Sequence, residues 1–266
     1  MNKTYLELAI EVAQEAGKIL CEEMEHAPTI AYKGDFDLVT QADRRSEAFI
    51  VGRLQKYFPE HAVAAEEGTG KDTASEYRWH VDPLDGTREF VLGLPEFCVS
   101  VGFVESGKPV AGGIYNPATN QNFLGAIDAG VLYNGRPSAP SQRTSLAGAL
   151  VLASRSEVKR GEWKQFESAE FKIRPMGSVA YKLGLVSAGL ADLTFTLVPK
   201  NEWDVAAGAA LVESAGGWTL KLDHSPFCCN QKNPLISGLL AGGPFLKDPL
   251  RALLDRHSQT VAEQRR

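Results

Sequence analysis

The run Trp79-His80-Val81-Asp82-Pro83-Leu84-Asp85-Gly86-Thr87 constrains this chain more than any other segment. Trp79 to Val81 read as the end of a buried strand, and Pro83, with no N–H to give a ladder, is expected to stop it. Asp82 and Asp85 then lie at the strand's exit, where layered α/β proteins bind ligands. Two carboxylates this close repel each other unless a cation sits between them, and hard divalent cations prefer oxygen ligands. Gly86 and Thr87 follow with main-chain N–H groups suited to an anion. Carboxylates for a metal beside amides for a phosphate point to metal-dependent phosphate chemistry. The same Asp-Pro-x-Asp-Gly string also makes a good turn, so these residues alone leave a purely structural role open.

Composition narrows the partners. A formal net charge of -5 with no basic stripe excludes general affinity for a nucleic-acid polymer. No apolar run approaches the length of a membrane span, and the N-terminus leads into an amphipathic segment, not a signal peptide. Cys21, Cys98, Cys228 and Cys229 show no CxxC spacing, which reads as reduced thiols and a cytoplasmic location, not a zinc site or disulfide framework. The 266 residues suffice for one large or two medium domains with a sizeable core.

Helical and extended patterns alternate in blocks, which implies a layered α/β architecture. Residues 4–25 place Leu6, Ala9, Ile10, Val12, Ala13, Ala16, Ile19 and Leu20 at helical spacing, with Thr4 as N-cap and Glu7 as its capping-box partner. Arg44 to Phe58 predict a second helix ended by Pro59. Strands are predicted over 62–65, 97–104, 110–115, 121–126 and 131–136, the last with Asn134-Gly135 as a hairpin signal. From Thr144 a second half begins, with strands over 150–154, 171–175, 191–197, 218–222 and 239–242. Its helices are predicted over 158–167, 178–188, 204–215 and 249–257, with a frayed polar tail after Gln259. The division expected is 1–143 and 144–266.

Further segments join the first one. Glu66-Glu67 lies upstream, Trp203-Asp204-Val205-Ala206-Ala207-Gly208 downstream, and Ala215-Gly216-Gly217 beyond it. Lys33-Gly34-Asp35 precedes Val39-Thr40-Gln41-Ala42-Asp43. In this order, across residues 33–217, the set resembles the inositol monophosphatase superfamily of lithium-sensitive, magnesium-dependent phosphomonoesterases. The resemblance implies an α/β fold, a layered αβαβα sandwich of the sugar-phosphatase type, with the site at the seam of the two halves. It implies two or three Mg²⁺ ions per site, a small phosphorylated substrate and compatibility with a homodimer. Glu66, Asp82 and the Leu84 carbonyl would hold one metal, and Asp82, Asp85 and Asp204 a second. Asp82 would bridge them. Gly86 and Thr87 would contact the phosphate, and Thr87 with Asp43 would orient the attacking water, with no covalent phosphoenzyme. Ser178 and Lys182, with Asp85 and Asp204, are the further substrate contacts expected.

Other residues carry blander expectations. Asp204 also suits a plain N-cap, Trp203 a packing role, Lys33 a solvated charge and His80 a satisfied, partly buried histidine.

The metal core does not set the substrate. Inositol-phosphate enzymes of the family usually carry a Glu six residues before the Trp of Trp-Asp, and that place here is Leu197. Pro199-Lys200-Asn201-Glu202-Trp203-Asp204, Gly86-Thr87-Arg88-Glu89-Phe90 and Ser154-Arg155-Ser156 resemble the bacterial 3'(2'),5'-bisphosphate nucleotidases of the family. Arg155 or Lys182 would bind the second phosphate. Pro95 to Tyr115 reads more like an inositol phosphatase. The expected reaction is hydrolysis of 3'-phosphoadenosine 5'-phosphate, with inositol 1-phosphate or a related polyol phosphate, histidinol phosphate included, as the alternative.

Overall fold

The computed structural model describes residues 4–25, 30–32 and 38–264. The Lys33-Gly34-Asp35 segment lies outside them. Glu7 N donates to Thr4 Oγ1 at 3.2 Å and Thr4 N to Glu7 Oε2 at 3.0 Å, the reciprocal cap expected for the first helix. That helix, α1 (Tyr5–Glu25), buries Leu8, Ala9, Val12, Ala13, Ala16 and Leu20 along one stripe. A short antiparallel pair, β1 (Ile30–Tyr32) and β2 (Leu38–Thr40), leads into α2 (Gln41–Tyr57). Thr40 and Asp43 close a capping box there, so α2 begins before Arg44.

Seven strands then form one sheet in chain order: β3 (Ala62–Ala65), β4 (Tyr77–Asp85), β5 (Cys98–Glu105), β6 (Lys108–Asn116), β7 (Gln121–Ala126), β8 (Gly130–Tyr133) and β9 (Arg136–Ser138). β3 and β4 run parallel and every other neighbouring pair antiparallel. The short α3 (Thr87–Val91) follows β4. The single strand expected over 131–136 is two strands. Asn134 and Gly135, with φ of 48° and 75°, form the tight turn between Tyr133 and Arg136.

The second sheet has the order β11-β10-β12-β16-β14. Its strands and helices are, in chain order, β10 (Leu150–Ser154), α4 (Arg155–Lys159), β11 (Lys172–Met176), α5 (Val179–Ser187) and β12 (Leu193–Thr196). There follow β13 (Lys200–Asn201), α6 (Glu202–Ser214), β14 (Trp218–Leu220), β15 (Leu235–Ile236), β16 (Leu239–Gly242) and α7 (Lys247–Gln264). β13 and β15 pair with each other apart from this sheet. The helix expected over 158–167 is absent. Ser154 caps α4 instead, Gly161 turns left-handed at φ 82° and breaks the run, and a single 3₁₀ turn (Lys164–Phe166) follows. The terminal helix continues past the point where fraying was expected.

Three apolar cores order these elements into five layers. Leu8, Val12 and Ala16 of α1 pack on Trp79, Val81, Val99, Val101 and Phe103, one face of the seven-stranded sheet. Val205, Ala207 and Leu211 of α6 meet Ile114 and Phe123 on its other face, and share a core with Leu183 of α5 and Leu152 and Ala241 of the second sheet. Trp163, Phe166, Leu246 and Leu250 cover Val151, Leu193 and Phe195 on that sheet's far face. The result is an αβαβα sandwich. No described helix is long and apolar enough to cross a membrane.

The middle layer sets the site. A helix between two sheets must be apolar all round, and Val205 to Val212 are all buried. They are mostly Ala and Gly, so the helix axis lies close to both sheets. Gly102 and Gly112 sit beneath it. A Cβ on Gly112 would lie 2.4 Å from Ala207 O, and one on Gly102 would lie 2.6 Å from Ala207 N. These contacts seat α6 against the sheet and bring its first turn to the end of β4. Gly112→Val is therefore expected to cost about 3 kcal/mol by overpacking. It should also lower activity by moving Asp204. Urea denaturation with an unchanged midpoint would remove Gly112 from this role.

Candidate active site

Residues three apart on a regular strand point to opposite faces, so Asp82 and Asp85 could not share a cavity if β4 were regular. It is not. Asp82 pairs with Ser100 and Asp85 with Cys98, so the register shifts between them and Pro83-Leu84 form a bulge. Pro83 thus does not end the strand as expected. It occupies the irregular step, where its missing N–H costs the ladder nothing. The extra residue returns Asp85 to the side that Asp82 faces. Asp82 Oδ1 accepts the Leu84 N–H at 3.0 Å. Gly86, at φ 100°, then turns the chain into α3 with no room for a side chain, since a Cβ would lie 2.7 Å from Glu96 O.

Helix α2 braces this loop from below with three polar side chains on its buried face. Asp43 Oδ1 accepts the Thr87 hydroxyl at 3.1 Å, while Oδ2 accepts from Thr40 Oγ1 at 2.6 Å and Thr40 N at 2.7 Å. Ser46 Oγ donates to Pro83 O at 3.1 Å. Glu47 accepts from Glu67 N at 2.5 Å and from Thr69 N and Oγ1, each at 2.8 Å, and so shapes the turn that carries Glu66. Glu66 N reaches Val81 O at 3.2 Å, tying that turn to β4. Sequence reading missed Ser46 and Glu47. Their signal was present: Asp43, Ser46, Glu47, Ile50 and Leu54 keep helical spacing, so the polar members share the buried stripe.

Asp85 and Asp204 reach in from two further elements. Asp85 Oδ2 accepts from Ser178 Oγ at 2.8 Å and Ala180 N at 2.5 Å, and so caps α5 across the interface. Ser178 holds φ 54°, sparsely populated for a residue with a side chain. Asp204, in the first turn of α6, accepts from Asn201 N at 3.1 Å in a capping box. The plain cap and the site position thus coincide. Trp203 is half-buried, and its Nε1 has no hydrogen-bond partner.

Burial and mutual repulsion dominate the electrostatics. Desolvation, then the charges of Glu66, Asp85 and Asp204, push the Asp82 carboxyl well above its usual range. Asp204 is raised well above by burial and by Asp85 and Glu66. Asp85 is raised by burial, opposed by its bonds to Ser178 and Ala180 and by Lys182. Burial lowers Lys182 to about 8, with Asp85 pulling the other way. Asp43 is also raised by burial, against its bonds to Thr40 and Thr87. Three raised carboxyls, the Glu66 carboxylate beside them and the Leu84 main-chain carbonyl are a donor set for a hard divalent cation, which binds oxygen and supplies the missing positive charge.

These groups line one cavity of about 470 Å³, with Glu66, Asp82, Leu84, Asp85, Gly86, Thr87, Ser178, Lys182 and Asp204 all on its wall. Asp43 stands behind Thr87. Every expected site residue is therefore brought together. Arg155 and Lys182, the two candidates for a second phosphate, both line this cavity, and Arg155 there pairs with Glu96 and lies 3.6 Å from Glu89. One substrate expectation is not met. Leu197 does not face the cavity. Its N–H is held by Glu157 Oε2 at 3.2 Å, and its side chain lines a separate apolar pocket with Phe166, Leu222 and Leu254. The six-residue spacing to Trp203 survives in sequence, but β12 carries that side chain into the outer core.

An αβαβα sandwich with an oxygen-lined cavity at the strand exit is an arrangement suited to a metal-dependent phosphatase, a phosphoric monoester hydrolase. The comparisons agree. The sequence model described as the inositol monophosphatase family matches residues 1–259, and the chain belongs to that family, whose members are metal-dependent. Inositol monophosphatase 3 of Solanum lycopersicum is 36% identical over 236 residues, 84% of this chain and 88% of that protein. A protein of Aquifex aeolicus named fructose-1,6-bisphosphatase/inositol-1-monophosphatase is 33% identical over 92% of this chain and 93% of that protein. The solved inositol monophosphatase of Anabaena (Nostoc) superposes with a TM-score of 0.79 at 31% identity, covering 94% of this chain and 95% of that one.

The raised carboxyls make a signed prediction. Asp82, Asp85 and Asp204 hold protons in the folded chain above the ordinary 3.8, where the unfolded chain has released them. Without a divalent cation, stability must then fall as pH rises from about 4 through the raised values. The melting temperature in EDTA is expected to drop as pH is raised above the ordinary carboxylate range, and Mg²⁺ to recover it. Asp82→Asn should raise the metal-free melting temperature near pH 8, abolish the Mg²⁺ response and nearly abolish turnover. A pH-independent melt in EDTA would contradict the electrostatic account.

Proposed function

We propose that this phosphatase uses Mg²⁺ and prefers a monoester that carries a second anionic group, above all a 3'(2'),5'-bisphosphate nucleotide such as 3'-phosphoadenosine 5'-phosphate. The observation that carries this reading is the division of charge in the cavity. The carboxylates lie deep, whereas Arg88 and Lys159 are exposed on the same wall, Lys200 is half-buried, and Arg155 and Arg160 stand there paired with Glu96 and Glu162. A phosphate drawn to the depth leaves a second anion among cations. The halves 1–143 and 144–266 divide the work: the first supplies the loop after β4, the second Asp204 and most of the outer cations.

In this reading Glu66, Asp82 and the Leu84 carbonyl would hold one Mg²⁺, and Asp82, Asp85 and Asp204 would hold another. When bound, the ions neutralise phosphoryl charge and lower the pKa of a coordinated water. The chain's own groups do the rest. The Gly86 and Thr87 amides orient the phosphate. Thr87 Oγ1, held by Asp43, accepts a hydrogen bond from the attacking water and passes its own proton toward Asp43 Oδ1. Li⁺ is expected to inhibit by competing at these carboxylates.

A second reading rests on the names of the relatives, which act on inositol phosphates or fructose bisphosphate by those names. A substrate panel in Mg²⁺ separates the two. The kcat/KM for 3'-phosphoadenosine 5'-phosphate is expected to exceed that for inositol 1-phosphate by ~10²-fold. Arg88→Ala with Lys159→Ala should erode that ratio, whereas Leu197→Glu should leave it unchanged, because its side chain is outside the cavity. A wild-type preference for inositol 1-phosphate moves the chain to the second reading. Thr87→Ala should lower kcat by ~10²-fold with little change in Mg²⁺ affinity, and an unchanged kcat would remove Thr87 from the mechanism.

A further inference from the structure

A second set of ligand-type side chains lies beside the acidic cavity, where the reading above gives it no role. His80 precedes Asp82 on β4, Glu202 opens α6 ahead of Asp204, and Cys229 lies in the turn between β14 and β15. One donor atom from each lies within 4.8 Å of the other two. The three residues are 1%, 3% and 1% exposed, so these donors are held out of water.

The fold places them deliberately. Asn230 sits at φ 64°, and this left-handed step leaves Cys228 and Asn230 exposed while Cys229 points inward. Glu202 holds the turn in place by accepting from Asn230 N at 2.8 Å and Gln231 N at 2.9 Å. Cys229 N donates to Gly107 O at 2.8 Å. His80 Nε2 lies 3.0 Å from Asn230 Oδ1 and 3.8 Å from Glu202 Oε2, and its Nδ1 is buried with no hydrogen-bond partner. A buried imidazole nitrogen left unpaired costs free energy. The expectation of a satisfied, partly buried histidine is thus not met: His80 is fully buried and half-satisfied.

We infer that His80, Glu202 and Cys229 form a second cation site, separate from the Mg²⁺ cavity, that takes Zn²⁺ or a similar borderline-soft divalent ion. The donor set is the argument. Thiolate, imidazole and carboxylate select Zn²⁺ over Mg²⁺, which prefers oxygen throughout. Two anionic ligands and a neutral imidazole balance a dication, so the filled site is uncharged where charge is costly. Binding replaces the Cys229 S–H proton with the metal and releases that proton to solvent. Asn230 Oδ1 is placed as a fourth donor beside His80. Filling it would tie β4 to α6, the elements that carry Asp82 and Asp204.

Co²⁺ is the probe, because a cobalt–thiolate bond absorbs in the near ultraviolet and an all-oxygen site does not. The full chain, with Mg²⁺ in excess, is titrated with CoCl₂. We expect a thiolate band that saturates at about one ion per chain. Cys229→Ser should remove it, while Cys98→Ser and Cys228→Ser retain it. ZnCl₂ should displace it. His80→Gln should weaken Zn²⁺ retention on dialysis by about tenfold or more. Absence of the band in the wild-type chain overturns the site, and so does its survival in Cys229→Ser. Neither result touches the phosphatase reading, which is read out with Mg²⁺ alone.

Discussion

Repulsion among Glu66, Asp82, Asp85 and Asp204 is the constraint around which the molecule is organised. At an effective dielectric constant near 20, two carboxylates 4 Å apart oppose each other by roughly 4 kcal/mol. Water relieves this only in part, because Asp82 is buried and Glu66, Asp85 and Asp204 are half-buried. The chain answers by pinning each one: Asp82 to the Leu84 N–H, Asp85 to the start of α5, Asp204 to the Asn201 N–H, with Glu66 on a turn that Glu47 shapes. Held in this way, the acids cannot move apart. Proton uptake or a cation is the remaining relief, and at neutral pH a divalent cation is the stronger one. The site's affinity for metal is the strain of the cluster put to use.

Such pinning requires rigid elements from several layers. α2 braces the loop from one side of the large sheet, and α6 arrives from the other side at a distance set by Gly102 and Gly112. α5 is capped by Asp85 itself, so the contact that fixes a cavity carboxylate also joins the two sheets' shared core. A site built on helix termini and a strand bulge keeps its geometry better than one on free loops. The His80–Glu202–Cys229 cluster uses the same two elements, which is why its occupancy would be felt in the cavity.

Much of this was legible in the sequence. The amphipathic stripe and cap of α1 and the strand over 150–154 stood where their spacing put them, and the acids at 66, 82, 85 and 204 that the resemblance singled out line one cavity. The failures were equally specific. Pro83 looked like a stop, because the bulge that accommodates it depends on β5 opposite. The partner of Arg155 went unread, because Glu96 is remote in sequence. Leu197 looked like a specificity position, because residue spacing says nothing of which core a strand turns toward. Cys229 and His80 carried no recognisable metal spacing, since their meeting rests on a left-handed step at Asn230.

Local periodicity and residue chemistry therefore determined the elements, the layered class and the kind of chemistry, because helix stripes, caps and carboxylate pairs act over a few residues. Which side chains face one another was decided by the tertiary structure. The bulge between Asp82 and Asp85, the polar stripe of α2 under the loop, the pairing of Arg155 and the convergence of His80, Glu202 and Cys229 each join residues from different elements. Their energies depend on distances across the sandwich, and those exist only once α6 is packed between the two sheets.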